Sequence, residues 1–430
     1  MIGIIGAGIS GLTLAYSLKK RNIPFFILET TDRIGGYLHS EKIGNYLLEY
    51  GANSLLCDSN ILDFIQEIGL AGEVVHTNSV SKNRYIFKNG RYQILPSSPP
   101  KLIFSNFFSW KTKLAILKER NVKSKAKANE TLSIFFERRF SKEIVDYTLN
   151  PFISGIYAGN PDELLVGKTF PVLAEYEQNY GSVLKGFIKN SGAERRKSIN
   201  FQNGMQTLPD RLASLVQLGS IRKIERIEKI IKLPNNLFQI GDNQCDKLVI
   251  TSPAFATAQL LQTLFPHFAT ALEKVHYPPM TVVYSAFKKS QVGHHLNGFG
   301  GLHPKIEKQF SAGSIWTSSV FPNRCPADEV LLTSFVGGSQ YAENALLPKE
   351  ILLEKLNQEL CRNYQIEGKP IFQHLHHWAK AIPQYDLTIN EVYRQAEGLE
   401  KENIFVCANW KDGVSVADCI RKALHLARIF

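Results

Sequence analysis

The feature that most limits what this chain can become stands at its start. Residues Ile2 to Ile5 read as a short buried strand running into Gly6-Ala7-Gly8-Ile9-Ser10-Gly11, and Leu12, Leu14, Ala15 and Leu18 mark one apolar face of the helix that follows. Gly6 permits a tight turn, Gly8 lets the backbone approach a pyrophosphate, and Gly11 lets helix and strand pack, with phosphates at the positive end of the helix. A second strand, Pro24 to Leu28, ends on Glu29, where a carboxylate accepts hydrogen bonds from the adenosine ribose hydroxyls and disfavours a 2′-phosphate. In this order the pieces specify a dinucleotide-binding βαβ unit, which NAD and FAD would use alike.

With 430 residues the chain exceeds what one core usually supports, so two or three units are expected. Its 50 basic and 39 acidic residues leave a formal charge of +11, which admits nucleic acid, an anionic membrane surface or an anionic substrate. Cys57, Cys245, Cys325, Cys361, Cys407 and Cys419 form no CxxC pair, so neither a zinc knuckle nor a disulfide framework is indicated and a reduced, cytoplasmic compartment is expected. Met1 leads directly into the first strand, so no export signal is expected. Without an apolar run of about eighteen residues no transmembrane helix is expected, and any membrane contact is peripheral.

The next turn, Thr31-Asp32-Arg33-Ile34-Gly35-Gly36, resembles the second fingerprint of amine-oxidase-type flavoproteins, in which the arginine and loop backbone contact the diphosphate. That resemblance implies one non-covalent FAD per chain. Glu49-Tyr50-Gly51-Ala52-Asn53-Ser54 resembles the loop that passes under the isoalloxazine ring, with Gly51 allowing close approach and Asn53 as the candidate catalytic side chain. An asparagine in such a loop also commonly satisfies nearby backbone groups. At the far end, Ile404 to Ala408 reads as a strand, and Asn409 to Val416 leads into a helix ending near Phe430. Such a helix start can set N–H groups and a positive dipole against a flavin carbonyl. Ala408, Asp412, Gly413, Val414 and Val416 are the cofactor contacts implied there, and Arg226 is a further one.

Between these ends, Asn150-Pro151-Phe152-Ile153-Ser154-Gly155-Ile156-Tyr157-Ala158-Gly159-Asn160-Pro161-Asp162-Glu163-Leu164 is similar to a segment of the protoporphyrinogen oxidases. Phe170-Pro171, Tyr180-Gly181-Ser182, Phe201 to Gln206, Gly298-Phe299-Gly300, Phe335 to Ser339 and Lys411 to Val414 continue it in the family's order, so the resemblance covers essentially the whole chain. It implies an α/β chain: a discontinuous Rossmann-like FAD-binding domain (1–75, 196–262 and 395–430), an α+β substrate domain (76–95 and 263–394) and a helical membrane-associated insert (96–195). Arg84 then matches the arginine that pairs with a substrate propionate, as a guanidinium can do bidentately. Phe335 matches an aromatic packed on the tetrapyrrole, Ile315 and Leu302 fall near the aliphatic residues on its other side, and Gly155 belongs to the same substrate contacts. Alone, Arg84 would equally suit the start of a hairpin turning at Asn89-Gly90.

The implied reaction is the six-electron oxidation of protoporphyrinogen IX to protoporphyrin IX in haem (porphyrin) biosynthesis, with dioxygen as acceptor and peroxide as by-product. Coproporphyrinogen III oxidation, a flavin amine oxidase or desaturase, and a non-catalytic carrier are the alternatives. Leu102, Ile103, Phe104, Phe107, Phe108 and Trp110, followed by a basic run from Lys111 to Lys127, suit peripheral contact with the inner face of the cell membrane, or an amphipathic helix with a solvated face. No nucleic-acid module accompanies the basic charge, so no nucleic acid partner is expected. Of His374, His376 and His377, only the first and second share a strand face, and with no acid or cysteine nearby no metal is expected. Family analogy adds a homodimer.

Overall fold

The computed structural model describes residues 1–190, 196–225, 227 and 229–430. Five strands, Ile221–Lys223, Phe25–Glu29, Ile2–Ile5, Lys247–Ile250 and Ile404–Val406, lie side by side in that order, all parallel. Their central members are apolar on both faces, as a parallel sheet covered on both sides requires. Helix Ile9–Lys20 packs between helices Thr207–Val216 and Val416–Ala427, so segments from the start, middle and end of the chain share one core.

Strand Lys247–Ile250 ends where the Thr251 hydroxyl turns to donate to the Ile5 and Gly6 carbonyls at 2.7 and 3.1 Å. After strand Ile221–Lys223 in the parallel sheet, Ile231–Lys232 belongs to a separate three-stranded one. Ile224 and Ile227 fill the apolar cluster between them.

A second, mostly antiparallel sheet has seven strands in the order Phe372–Trp378, Met280–Lys288, Glu329–Gly337, Gly313–Ile315, Gly300–Leu302, Tyr85–Lys88 and Arg91–Ile94. The last two form the expected hairpin, turning through Asn89 and Gly90 at φ 56° and 77°. The chain is thus mixed α/β, with separate sheets.

Residues 99–189 carry short helices fastened by buried charge. Arg139 donates to Glu119 at 2.9 Å and to Glu177 at 2.6 Å, and Arg138 pairs with Glu130 at 2.7 Å and with Glu177 at 2.6 Å. Among the described residues no helix is long and apolar enough to cross a membrane.

Candidate functional site

The first and second glycine turns lie at the carboxyl ends of adjacent parallel strands, where open α/β sheets bind ligands. Gly35 N–H donates to the Ala7 carbonyl at 2.9 Å, so the two turns are tied together. A Cβ on Gly8 would meet nothing nearer than Gly36 Cα at 4.0 Å, entering the space between them, whereas a Cβ on Gly11 would lie 2.1 Å from the Gly6 carbonyl oxygen. Helix Ile9–Lys20 starts without a side-chain cap or an acid in its first turn, so Ile9, Ser10 and Gly11 open a helix end suited to an anion. Glu29 closes the second strand, its carboxylate accepting from Ala7 N–H at 2.7 Å and Thr31 N–H at 2.8 Å. Arg33 holds its own turn, donating to the Leu38 and Gly36 carbonyls at 2.8 and 2.6 Å and to Gln206 at 3.2 Å. This cradle, with a ribose-type carboxylate beside it, fits a dinucleotide. Arg226 lies outside the described residues.

The loop from Glu49 to Ser54 is held from two sides, by strand Lys197–Phe201 of a small three-stranded sheet and by the seven-stranded sheet. A Cβ on Gly51 would sit 1.8 Å from the Tyr37 carbonyl oxygen, so only glycine allows this approach. Glu49 is buried, accepting from Ser40 Oγ at 2.5 Å, Asn200 Nδ2 at 2.9 Å and Met205 N–H at 3.0 Å. Burial outweighs those donors and raises its carboxyl pKa to about 7. Asn200 also donates to the Asn53 carbonyl at 2.9 Å, and the Asn53 amide donates to the Gly51 carbonyl at 3.2 Å, so Asn53 acts here on its own loop, with Ala52 and Ser54 half-buried beside it. From the other sheet, Tyr284 O–H donates to the Glu49 carbonyl at 2.6 Å and Trp378 Nε1–H to the Tyr50 carbonyl at 2.7 Å.

The carboxy-terminal loop reaches the same edge of the parallel sheet. Ala408 is buried, Val414 packs in the core, and Asp412 and Gly413 turn through φ 57° and 112° with their N–H groups donating to Tyr393 and Tyr385 at 2.7 and 2.9 Å. Lys422 gathers the Ala408, Lys411 and Gly413 carbonyls, closing the loop over the first turn of the helix that Val416 opens. That helix start is closed by its own capping box, Ser415 with Asp418. The buried Glu49–Asn200 pair was not legible in the sequence, since it joins residues far apart along it, and neither was the lysine clamp, since no motif marks a lysine as a carbonyl ligand.

The residues expected to meet substrate come together through sheet register. Ile86 pairs with Leu302, Leu302 with Gly313, Gly313 with Phe335, Phe335 with Val282 and Val282 with His376, one row on one face. Arg84, two residues before Ile86, shares that face, as does Ile315, two after Gly313. Leu302 and Phe335 therefore flank a gap floored by Gly313, two strand spacings or about 10 Å apart. Gly313 sits at φ 124° and a Cβ there would lie 2.2 Å from the Gly301 carbonyl oxygen, so the gap cannot readily be filled. Phe335, Ile315 and Leu302 are each half-exposed between strand neighbours that are buried. Helix Asn150–Tyr157 borders the gap: Gly155 is so close to Leu302 that a Cβ would meet its Cδ2 at 2.9 Å.

Arg84 marks the outer end. Its guanidinium lies 3.8 Å over the Phe299 ring and is solvent-accessible, and partial desolvation lowers its pKa with no acidic side chain to offset it. At the other end His374 and His376 stack on Tyr50, ring centroids 5.7 and 4.4 Å away, while His377 turns to the opposite face and bonds Thr281 at 2.9 Å. Among the described residues no cluster of potential metal ligands occurs.

Comparison with known proteins agrees with this geometry in family. Residues 9–429 match the profile of the flavin containing amine oxidoreductases. The chain is 30% identical to protoporphyrinogen oxidase 2, chloroplastic/mitochondrial, of Arabidopsis thaliana, over 99% of this chain and 92% of that relative. It is also 30% identical to the mitochondrial protoporphyrinogen oxidase of Nicotiana tabacum, over 99% and 94%. It is 25% identical to coproporphyrinogen III oxidase of Bacillus subtilis (strain 168), over 97% and 95%. A crystallised chain from Exiguobacterium sp. 255-15 shares the fold with a TM-score of 0.82 at 21% identity, covering 100% of this chain and 98% of that one.

Proposed function

The chain belongs to the protoporphyrinogen oxidase family of flavin containing amine oxidoreductases, and from that premise we propose that it oxidises protoporphyrinogen IX to protoporphyrin IX in haem biosynthesis, with dioxygen as final acceptor. The observation that carries this reading is the sheet face bounded by Arg84 at one end and by the Tyr50 to Ser54 loop at the other, with an apolar gap between Leu302 and Phe335. A flat apolar macrocycle with carboxylate arms needs such a slot and a cation at its mouth.

FAD, when bound, supplies a two-electron acceptor for hydride leaving a bridging carbon. The turns at Gly6 to Gly11 and Arg33 to Gly36 would hold its diphosphate, Glu29 its ribose, the Gly51 to Ser54 loop one side of its ring system, and Ala408, Asp412, Gly413, Val414 and Val416 its far end. Arg84, fixed against Phe299, presents its N–H edge to a propionate. Leu302, Ile315 and Phe335 orient the ring and exclude water, and Gly155 keeps the gap open on the helical side. Asn53 shapes the loop backbone.

The helical segment suits peripheral membrane contact at the inner face of the cell membrane. Phe104, Trp110, Leu114 and Leu117 are 85%, 71%, 52% and 63% exposed, and the last three share one stripe of helix Trp110–Lys118, flanked by lysines. Aerobic incubation of FAD-loaded protein with protoporphyrinogen IX tests the main reading: porphyrin fluorescence and peroxide should rise together, and their absence contradicts it.

A further inference from the structure

We propose that His374, Tyr50 and Glu41 form an exit route for the protons that substrate oxidation releases. This rests on the tetrapyrrole-oxidising reading. Each two-electron step breaks a C–H bond at a bridging carbon, whose hydrogen leaves with the electron pair to the cofactor. It also breaks an N–H bond, or on tautomerisation a further C–H bond, whose electron pair stays in the ring as a new double bond. That second hydrogen leaves as a proton and has to reach solvent from an apolar slot.

The sheet places a carrier on the slot's face, two strands beyond that of Phe335. His374 pairs with Tyr284, Tyr284 with Thr333 and Thr333 with Ile315, so its imidazole is on the same face as the gap-lining residues. Tyr50 lies over it, tilted only 15° from its plane, and the phenol oxygen is 2.9 Å from His374 Nε2. The same hydroxyl donates to Glu41 Oε2 at 2.6 Å. Tyr50 is 4% exposed whereas Glu41 lies in solvent, so the phenol joins an imidazole on the slot face to a solvated carboxylate. A hydroxyl that accepts from an imidazole N–H and donates to a carboxylate passes a proton on by one shift along each bond.

The groups facing this chain suit a transient carrier. Burial lowers the His374 pKa, the Glu41 charge raises it and Lys349 lowers it, so the ring is neutral at rest. His376, stacked on the other part of the Tyr50 ring, is held at about 4 by burial and by His39, His374, Arg33 and His377, and its buried Nε2 has no hydrogen-bond partner. It therefore does not compete as a resting cation.

Tyr50→Phe in the full-length, FAD-loaded protein keeps the ring stack and removes the hydroxyl. The expected result is a kcat lower by on the order of tenfold, with KM and FAD content within about twofold of the parent. Imidazole buffer should restore most of the lost rate in the variant and leave the parent unchanged, because a diffusible carrier replaces a missing relay but does not repair a misplaced loop. Nitrogen-15 spectra of the histidines should show the His374 Nε2 signal and its titration midpoint moving in the variant. Wild-type turnover in Tyr50→Phe, or a loss that imidazole leaves in place, overturns the relay. If the parent oxidises no tetrapyrrole the functional reading fails instead, and an unchanged His374 Nε2 signal in the variant then overturns the hydrogen-bonded chain itself.

Discussion

Glu49 and His376 are neighbours of one loop that burial pushes in opposite directions, the acid up to about 7 and the imidazole down to about 4. A carboxyl whose folded pKa is raised contributes stability that is complete below its unfolded value and is lost as pH rises through about 7. An imidazole whose folded pKa is lowered contributes stability that is present above its unfolded value and is lost as pH falls through about 4. Between about pH 4.5 and 6.5 the two slopes oppose each other, the histidine's being the smaller because its ring is partly solvated. Glu49→Gln should therefore remove a fall of on the order of 3 kcal/mol between pH 4.5 and 7. Denaturant unfolding of the FAD-loaded variant should then show stability rising across that range, and a continued fall would mean another group carries it. Arg84 is the proposed substrate anchor instead. Arg84→Ala should raise KM for protoporphyrinogen about tenfold, the worth of a charged hydrogen bond, with kcat little changed; an unaltered KM removes the anchor. At this scale the local signals were legible: the glycine turns, Glu29 and the period-two sharing of His374 and His376. Tyr50 above those histidines was not, because nothing near it in sequence points to them.

Two elements carry most of what surrounds the site. In residues 99–189 the buried Arg139 links Glu119, which is 0% exposed, to Glu177. Removing the cation leaves a buried carboxylate with the Ser182 hydroxyl and the Val183 and Leu184 N–H groups but no charge to balance it. Arg139→Met should thus destabilise by about 3–5 kcal/mol, read as a clear fall in thermal midpoint, and an unchanged midpoint would mean the cluster is open to water. Helix Trp110–Lys118 is marginal on its own and turns its apolar stripe outward. Leu117→Glu should weaken co-sedimentation with anionic vesicles several-fold while leaving turnover in detergent near the parent value; equal binding would remove this helix from the membrane reading. Its aromatic and lysine content was legible in sequence. Which residues face out was less so, since Phe107 and Phe108 are 3% and 5% exposed, packing beneath Lys88.

Across the whole molecule, the proposed site draws on both large sheets. The parallel sheet brings three distant stretches of chain together and presents the glycine turns, Glu29 and the carboxy-terminal loop along one edge. The seven-stranded sheet presents Arg84, Leu302, Gly313, Ile315 and Phe335 along one face, and its Tyr284 and Trp378 hold the Glu49 to Ser54 loop through the Glu49 and Tyr50 carbonyls. The first arrangement could be read from motifs whose spacing is local. The second depends on register between strands far apart in sequence, so the slot itself emerged only from the pairing. The central claim is that this slot takes a macrocycle with carboxylates at one edge and apolar groups at the other. Its most direct test is kcat/KM of the FAD-loaded protein for protoporphyrinogen IX and coproporphyrinogen III side by side. The account predicts a preference for protoporphyrinogen of about tenfold or more that narrows in Arg84→Ala; equal rates, or preference for coproporphyrinogen, would contradict it.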